Sequence, residues 1–91
     1  MNTLNALIKQ ITDVQQLTFQ LGTEGNNPYI MTTTSNQKGT NQIHILKVQG
    51  VQTDEILKTS FHIQDIESMR KARQDLISLR VRLEREYNAT A

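Results

Sequence analysis

The apolar residues near the start of the chain recur every three or four positions, which is the spacing of one face of an amphipathic α-helix. They are Leu4, Leu7, Ile8, Ile11, Val14, Leu17 and Leu21. Asn2 or Thr3 can cap the N-terminus of such a helix, and Gly22 can stop it. The pattern therefore predicts a helix over residues 3–21.

The middle of the chain is rich in β-branched residues separated by turn-forming residues, which is typical of short strands. The predicted strands cover residues 29–34, 42–49 and 55–61. The polar segment 35–41, in which Gly39 can adopt positive φ, joins the first two strands into a hairpin. Gly50 ends the second strand. For the third segment, a short helix is the alternative interpretation.

Alternation within the predicted strands separates two faces of the sheet. In the second strand Ile43 and Ile45 alternate with His44, so one face is expected to be more buried than the other. In the third strand Ile56 is expected on the face opposite Leu57. The chain thus predicts a small sheet with one buried face.

Residues 63–87 form the longest predicted helix, with acidic groups in its first turn, where they suit the helix dipole. A nearly heptad apolar stripe runs along it and consists of Met69, Ala72, Leu76, Leu79, Leu83 and Tyr87. This stripe is expected to pack on the sheet or on the first helix, and a self-association seam is the alternative. The fold is predicted as α+β, α-β-β-β-α: a short antiparallel three-stranded meander flanked by an N-terminal helix and a longer C-terminal helix, in a single domain over residues 1–91.

A second apolar stripe lies on a neighbouring side of the C-terminal helix and is interleaved with arginines. A helix that is apolar over so wide an arc is expected to contact both its own core and a second chain. Arginine suits such a surface because its planar head pairs while its stem packs. The predicted partner-binding residues are Ile66, Arg70, Arg73, Ile77, Arg80 and Val81.

The composition leaves little material for a self-sufficient core. Of the 91 residues, 36% are hydrophobic and 4% are aromatic, and none is cysteine or tryptophan. A small domain with a thin core gains stability from disulfides, metals or oligomerisation. Because disulfides and thiolate metal sites need cysteine, we expect a homodimer or a higher homo-oligomer.

The net charge of +1 neither demands nor excludes an acidic partner. A nucleic-acid-binding surface is the first alternative to a protein partner, because basic residues cluster locally in the C-terminal helix and the hairpin adds two more. Its candidate residues are Arg70, Lys71, Arg73, Lys38 and Lys47. A small anionic ligand, held at a subunit interface by the same arginines, is the second alternative.

Catalytic and metal-binding patterns are missing from the sequence. His44 and His62 are isolated, and His62 with Asp65 supplies two ligands where a metal site needs more. Asp54 and Glu55 are adjacent on a predicted strand, where successive side chains point to opposite faces. The sequence has no glycine-rich phosphate loop. We therefore expect no enzymatic activity, no cofactor and no metal.

The first residues carry no basic n-region or apolar run typical of a secretory signal, and no stretch has the roughly 20 apolar residues needed to span a bilayer. We expect a cytoplasmic protein without membrane contact, of the small regulatory kind that bacteria or phages encode. The expected function is that of a non-catalytic oligomeric interaction protein: an adaptor, inhibitor or assembly factor that binds a protein partner through its C-terminal helix.

The order of the predicted elements resembles that of the YbaB-like nucleoid-associated proteins, which are dimers with helices flanking a three-stranded meander. Residues 34–39 do not match the glycine-rich start of a strand in that family. The resemblance covers the order of elements without a shared motif, and fold analogy carries little functional weight.

Overall fold

The computed structural model describes residues 2–22 and 27–90. Its elements follow one another as α1 (Thr3–Leu21), β1 (Tyr29–Ser35), β2 (Thr40–Gln49), β3 (Gln52–His62) and α2 (Ile66–Thr90). The strands form one antiparallel sheet in the order β1-β2-β3. This arrangement confirms the predicted α+β fold with its α-β-β-β-α order.

α1 has the predicted bounds because both of its ends are capped. The Asn2 Oδ1 atom accepts hydrogen bonds from the backbone N–H groups of Leu4 at 2.8 Å and Asn5 at 3.3 Å. These N–H groups have no partner within the helix. After the last turn, the Gly22 N–H donates to the Phe19 carbonyl at 3.1 Å. The cap is therefore Asn2, one of the two residues predicted for this role.

Both hairpins are tight, and the strands are longer than predicted as a result. β2 begins at Thr40, two residues early, and β3 begins at Gln52, three residues early. Gly39 has φ +88° in the first turn and Gly50 has φ +62° in the second, so each glycine adopts a conformation that other residues rarely take. Main-chain pairing continues through polar residues up to each turn, which apolar alternation does not reveal. The helical alternative for residues 55–61 is wrong.

A β-bulge interrupts the pairing of β2 with β3. Ile45 pairs with Leu57 whereas the next residue, Leu46, pairs with Glu55, so Ile56 is the extra residue. Ile56 and Leu57 both pack against the core. The prediction that these two side chains lie on opposite faces is therefore wrong, because strict alternation does not hold across a bulge.

α2 begins at Ile66, three residues later than predicted, because Asp65 caps it. The Asp65 Oδ1 atom accepts hydrogen bonds from the N–H groups of Glu67 at 3.1 Å and Ser68 at 3.4 Å. The Ser68 Oγ atom accepts a further bond from the backbone N–H of His62 at 3.0 Å, which ties the end of β3 to the helix. The helix extends three residues beyond its predicted end. Among residues 2–22 and 27–90, no helix is long and apolar enough to cross a membrane.

The core lies between the helices and one face of the sheet. Its buried apolar residues are Leu7, Val14, Tyr29, Ile43, Ile45, Phe61, Met69, Ala72, Leu76, Leu79 and Leu83. The burial of Ile43 and Ile45 and of five α2 stripe residues confirms those predictions. Tyr87, predicted to belong to the stripe, is 38% exposed. It lines a hollow with Leu17 and Gln20, near the end of α1.

α1 and α2 run in the same direction. Paired positions advance together along both helices: Ala6 and Arg73 line one hollow, Asp13 contacts Arg80, and Leu17 and Tyr87 line another hollow. α2 crosses the sheet from the Thr59 region, which it contacts through Asp75, to Tyr29, which it contacts through Glu86. α1 lies beside α2 on the β1 side, where Ile8 and Thr33 line a common groove.

Candidate interaction surface

Part of the apolar surface of α2 remains uncovered. Ile66 is 51% exposed and Val81 is 38% exposed, and Ile77, on the same side of the helix, is half-buried. We call Ile66, Ile77 and Val81 the outer stripe. The buried stripe of α2 already packs in the core, so the outer stripe is apolar surface beyond what the fold uses.

The three arginines predicted to flank the outer stripe have different environments. Arg70 is exposed, with its Nη1 atom 3.2 Å from Glu67 Oε1. Arg80 lies toward α1, where its Nη1 atom is 3.6 Å from Asp13 Oδ2, and its Nε atom is 3.2 Å from Glu84 Oε1 without hydrogen-bond geometry. Of these two side chains, Arg70 is therefore the one available beside the stripe.

Arg73 also lies toward α1. Its side chain is half-buried, and its buried Nε atom has no hydrogen-bond partner within the described part of the protein. With Arg70 it lines a hollow of about 230 Å³ against Asn2, Thr3 and Ala6. Arg73 thus contributes packing between the helices as well as charge at the edge of the surface.

The residues predicted to bind nucleic acid do not form one surface. Lys47 lies at the end of the sheet near Tyr29, with its Nζ atom 3.4 Å from Glu86 Oε1 and 5.4 Å from the centre of the Tyr29 ring. Lys38 lies in the turn at the opposite end, where its carbonyl oxygen is 2.6 Å from His62 Nε2. The five candidate cations are therefore divided between the two ends of the molecule.

Arg70 and Lys71, two of the candidate cations on α2, each have an acidic neighbour. Arg70 pairs with Glu67, and Lys71 Nζ lies 3.1 Å from Asp75 Oδ2. Asp75 also accepts a hydrogen bond from Thr59, which holds its carboxylate at the sheet. These carboxylates offset the positive potential that would attract phosphate.

A polar cluster that the sequence does not predict joins α2 to the sheet. The Tyr29 hydroxyl donates to Glu86 Oε2 at 2.6 Å, and Lys47 contacts the other carboxylate oxygen. Burial raises the pKa of Tyr29 above its ordinary value, and the hydrogen bond to Glu86 and its negative charge raise it further. Tyr29 therefore stays protonated, and the cluster serves as a structural tie. No sequence pattern marks this contact, because its partners are 57 positions apart.

Both histidines make structural contacts. His44 Nε2 lies 2.8 Å from Glu55 Oε2 on the uncovered face of the sheet. His62 Nε2 donates to the Lys38 carbonyl, and its Nδ1 atom accepts from the N–H of Gln64 at 3.1 Å. Asp65, the other half of the predicted two-ligand pair, is the α2 cap. Within the described ranges, no group of three or more histidine and acidic side chains is placed to hold a metal.

A second apolar surface, not predicted from the sequence, lies along α1. Ile8 is 48% exposed and Phe19 is 66% exposed. Ile8 borders a groove of about 250 Å³ between α1 and the sheet, lined also by Ile11, Thr33 and Phe61.

Comparison of the chain with family models, with curated proteins and with solved structures finds no match.

Proposed function

We propose that this chain is a non-catalytic, self-associating interaction protein that binds a protein partner through the outer stripe of α2 and the adjacent Arg70. The observation that carries the proposal is the exposure of the apolar residues Ile66 and Val81 on a helix whose buried stripe already packs against the sheet and α1. Burying a whole Ile or Val side chain contributes about 1.5–3 kcal/mol, so covering these half-exposed residues gives a partner a substantial apolar anchor. An exposed arginine at its border adds a directional polar contact.

The chemistry of this surface favours protein over nucleic acid. Binding to nucleic acid depends on cations that neutralise phosphates. Here Arg70 and Lys71 are each paired with a carboxylate of the same helix, and Lys47 is paired with Glu86 at the far end of the sheet. An apolar stripe with one exposed arginine is closer to the core and rim of a protein interface.

A non-catalytic role is supported by the contacts of the groups that most often perform acid–base chemistry. His62 holds the first hairpin turn to α2, and His44 pairs with Glu55 on an open strand face. The chain has no cysteine to act as a thiol nucleophile.

The proposal is tested with the double variant Ile66→Asp plus Val81→Asp. The matched control is Ser78→Asp, which adds a charge at another exposed position of α2. Tagged wild type and both variants are incubated with an extract of the natural host, and retained proteins are quantified. We expect wild type and the control to retain the same partner and the double variant to lose it, with all three sharing one circular dichroism spectrum and melting temperature.

Two outcomes contradict the proposal. Equal retention by the double variant means that the outer stripe is not the binding surface. Unfolding of the double variant at room temperature means that the stripe belongs to the core. Retention of nucleic acid in place of protein, reduced by Arg70→Gln, favours the alternative function.

A further inference from the structure

The sheet has two edge strands with opposite characters. β3 carries Asp54, Glu55 and Lys58 and is distorted by the bulge at Ile56, features that discourage pairing with another chain. β1 contains no charged residue, no proline and no bulge, and its seven residues pair with β2 without a register shift. Natural edge strands normally carry some such protection. β1 is therefore an edge suited to accept another strand.

The free hydrogen-bonding groups of β1 can be assigned from its pairing with β2. The Asn36 N–H donates to the Thr40 carbonyl at 3.0 Å, and the Val48 N–H donates to the Pro28 carbonyl at 2.7 Å. In an antiparallel pair such bonds recur at every second residue. The even-numbered residues of β1 therefore bond to β2, and the N–H and carbonyl groups of Met31 and other odd-numbered residues point away from the sheet.

We propose that β1 pairs antiparallel with β1 of a second copy, joining two three-stranded sheets into one six-stranded sheet around a two-fold axis at Thr32. The inference rests on the self-association in the proposed function and assigns it to β1, leaving the outer stripe of α2 for the partner. In this register Met31 exchanges hydrogen bonds with Thr33 of the second copy. Both are odd-numbered residues whose backbone groups are directed outward.

The side chains of β1 are complementary to themselves in this register. Ile30 lies opposite Thr34 of the second copy, Thr32 lies opposite itself, and Tyr29 lies opposite Ser35 of the second copy. None of these pairs brings like charges together, which would destabilise neighbouring strands. A second copy of this chain therefore meets the edge without an electrostatic penalty.

The exposed apolar residues of α1 lie on the flank that this dimer covers. Ile8 and Phe19 are eleven residues apart, about three helical turns, and so share one side of α1. Ile8 lines the groove with Thr33, which places this flank beside the β1 edge. A second copy paired along β1 brings its own α1 flank to the same axis, so the two apolar flanks cover one another.

The shape of the chain leaves enough surface for such an interface. Its accessible surface is 6196 Å², whereas a compact monomer of this mass exposes about 5,400 Å². The radius of gyration is 13.8 Å, against about 12 Å for a compact domain of this length. An interface of standard size buries about 800 Å² on each partner, which is about an eighth of this accessible surface.

The decisive variant is Thr33→Pro. In an isolated monomer the Thr33 N–H points to solvent, and an edge strand tolerates proline at such a position. In the dimer, proline at this position removes a hydrogen bond between the two copies and brings its ring against the second copy. Thr33→Val, which keeps the N–H and strand propensity, is the control. In sedimentation equilibrium at micromolar concentrations, we expect wild type and Thr33→Val at twice 10.4 kDa and Thr33→Pro at the monomer mass with an unchanged circular dichroism spectrum.

The variant Thr32→Lys provides a second test that leaves the backbone intact. It places two ammonium groups opposite one another on the axis, whereas Thr34→Lys on the same face places a lysine opposite Ile30 of the second copy. We expect Thr32→Lys to raise the dimer dissociation constant at least tenfold more than Thr34→Lys does. If Thr33→Pro fails to fold, this pair decides the proposal.

Several results would overturn the dimer. One is a wild type that stays monomeric up to 100 µM, and another is a Thr33→Pro dimer as tight as wild type. Equal effects of the two lysine variants would contradict the register. Loss of the dimer in Ile66→Asp plus Val81→Asp would move self-association to α2. Loss of partner retention in that variant while the dimer persists would leave the β1 proposal intact, so the two proposals fail separately.

Discussion

α2 carries two apolar stripes on neighbouring sides, and only one of them is buried. The residues of the buried face, such as Leu76, are almost fully covered by the sheet and α1, whereas Ile66 and Val81 of the outer stripe are 51% and 38% exposed. The two sets differ in which neighbours the fold places against them. Apolar periodicity therefore identifies surfaces that favour burial, and the positions of the other elements decide which surface becomes core.

The comparison predicts that truncation to alanine costs much more stability on the buried side of the helix than on the outer stripe. Leu76→Ala leaves a cavity in a fully buried site and is expected to lower the free energy of unfolding by about 3 kcal/mol. Val81→Ala removes methyl groups that are already partly in water and is expected to lower it by less than about 0.5 kcal/mol. Urea denaturation followed by circular dichroism measures both.

Equal losses in this pair would contradict the distinction between the two stripes. A large loss for Val81→Ala that appears only at concentrations where the protein self-associates would instead show that the outer stripe is covered in the oligomer. Repeating the denaturation at two protein concentrations separates these cases.

The buried face is held on the sheet by the contact between Tyr29 and Glu86, which gives the second prediction. Tyr29→Phe keeps the ring and removes the hydroxyl that donates to Glu86 at 2.6 Å. Lys47 and solvent still reach the carboxylate, so we expect a loss of about 1–2 kcal/mol at neutral pH. Thermal denaturation measures the loss.

The same contact makes stability sensitive to alkaline pH. Burial and Glu86 raise the pKa of Tyr29 above its ordinary value of 10.0. The unfolded chain therefore releases this proton first, so the stabilisation is complete below pH 10 and is lost as the pH rises toward the higher pKa of the folded state. Between pH 10 and 11 the wild type should lose about 1 kcal/mol more than Tyr29→Phe does. Parallel slopes for the two proteins would contradict the raised pKa.

Local patterns were sufficient to predict the helices, the hairpins and the order of elements. The α1 bounds follow from Asn2 and Gly22, and the buried face of α2 follows from its spacing. The bulge at Ile56 escaped prediction because no residue type marks it, and it changed the face on which Ile56 lies. The contact of Tyr29 with Glu86 escaped because neighbours in the sequence do not determine pairs so far apart.

The candidate site was also predictable only where local patterns determine it. The exposure of Ile66 and Val81 follows from a second stripe on one helix. The orientation of Arg73 and Arg80 toward α1 depends on α1 lying parallel to α2 on that side, which no local pattern encodes. The unprotected edge of β1 also becomes visible only when the strand order is known.

Arg80 lies at the border between the two stripes and gives the smallest predicted effect. Asp13 contacts it at 3.6 Å and also contacts Lys9 at 3.0 Å. Asp13→Asn is expected to cost about 0.5–1 kcal/mol at low salt, because partly exposed ion pairs contribute little. Lys9→Gln removes only the pair within α1 and is expected to cost a few tenths of a kcal/mol. The difference between the two variants isolates the contact across the helices.

The salt dependence of the Asp13→Asn effect on stability shows whether Arg80 belongs to the surface or to the core. If it belongs to the border, most of the Asp13→Asn effect disappears in 1 M NaCl, because that concentration screens exposed charges beyond about 3 Å. A loss of about 3 kcal/mol or more that salt does not change would mean that the pair is buried, since removing one partner then leaves an uncompensated charge. The buried face would in that case extend to Arg80, and the surface open to a partner would narrow to the outer stripe and Arg70.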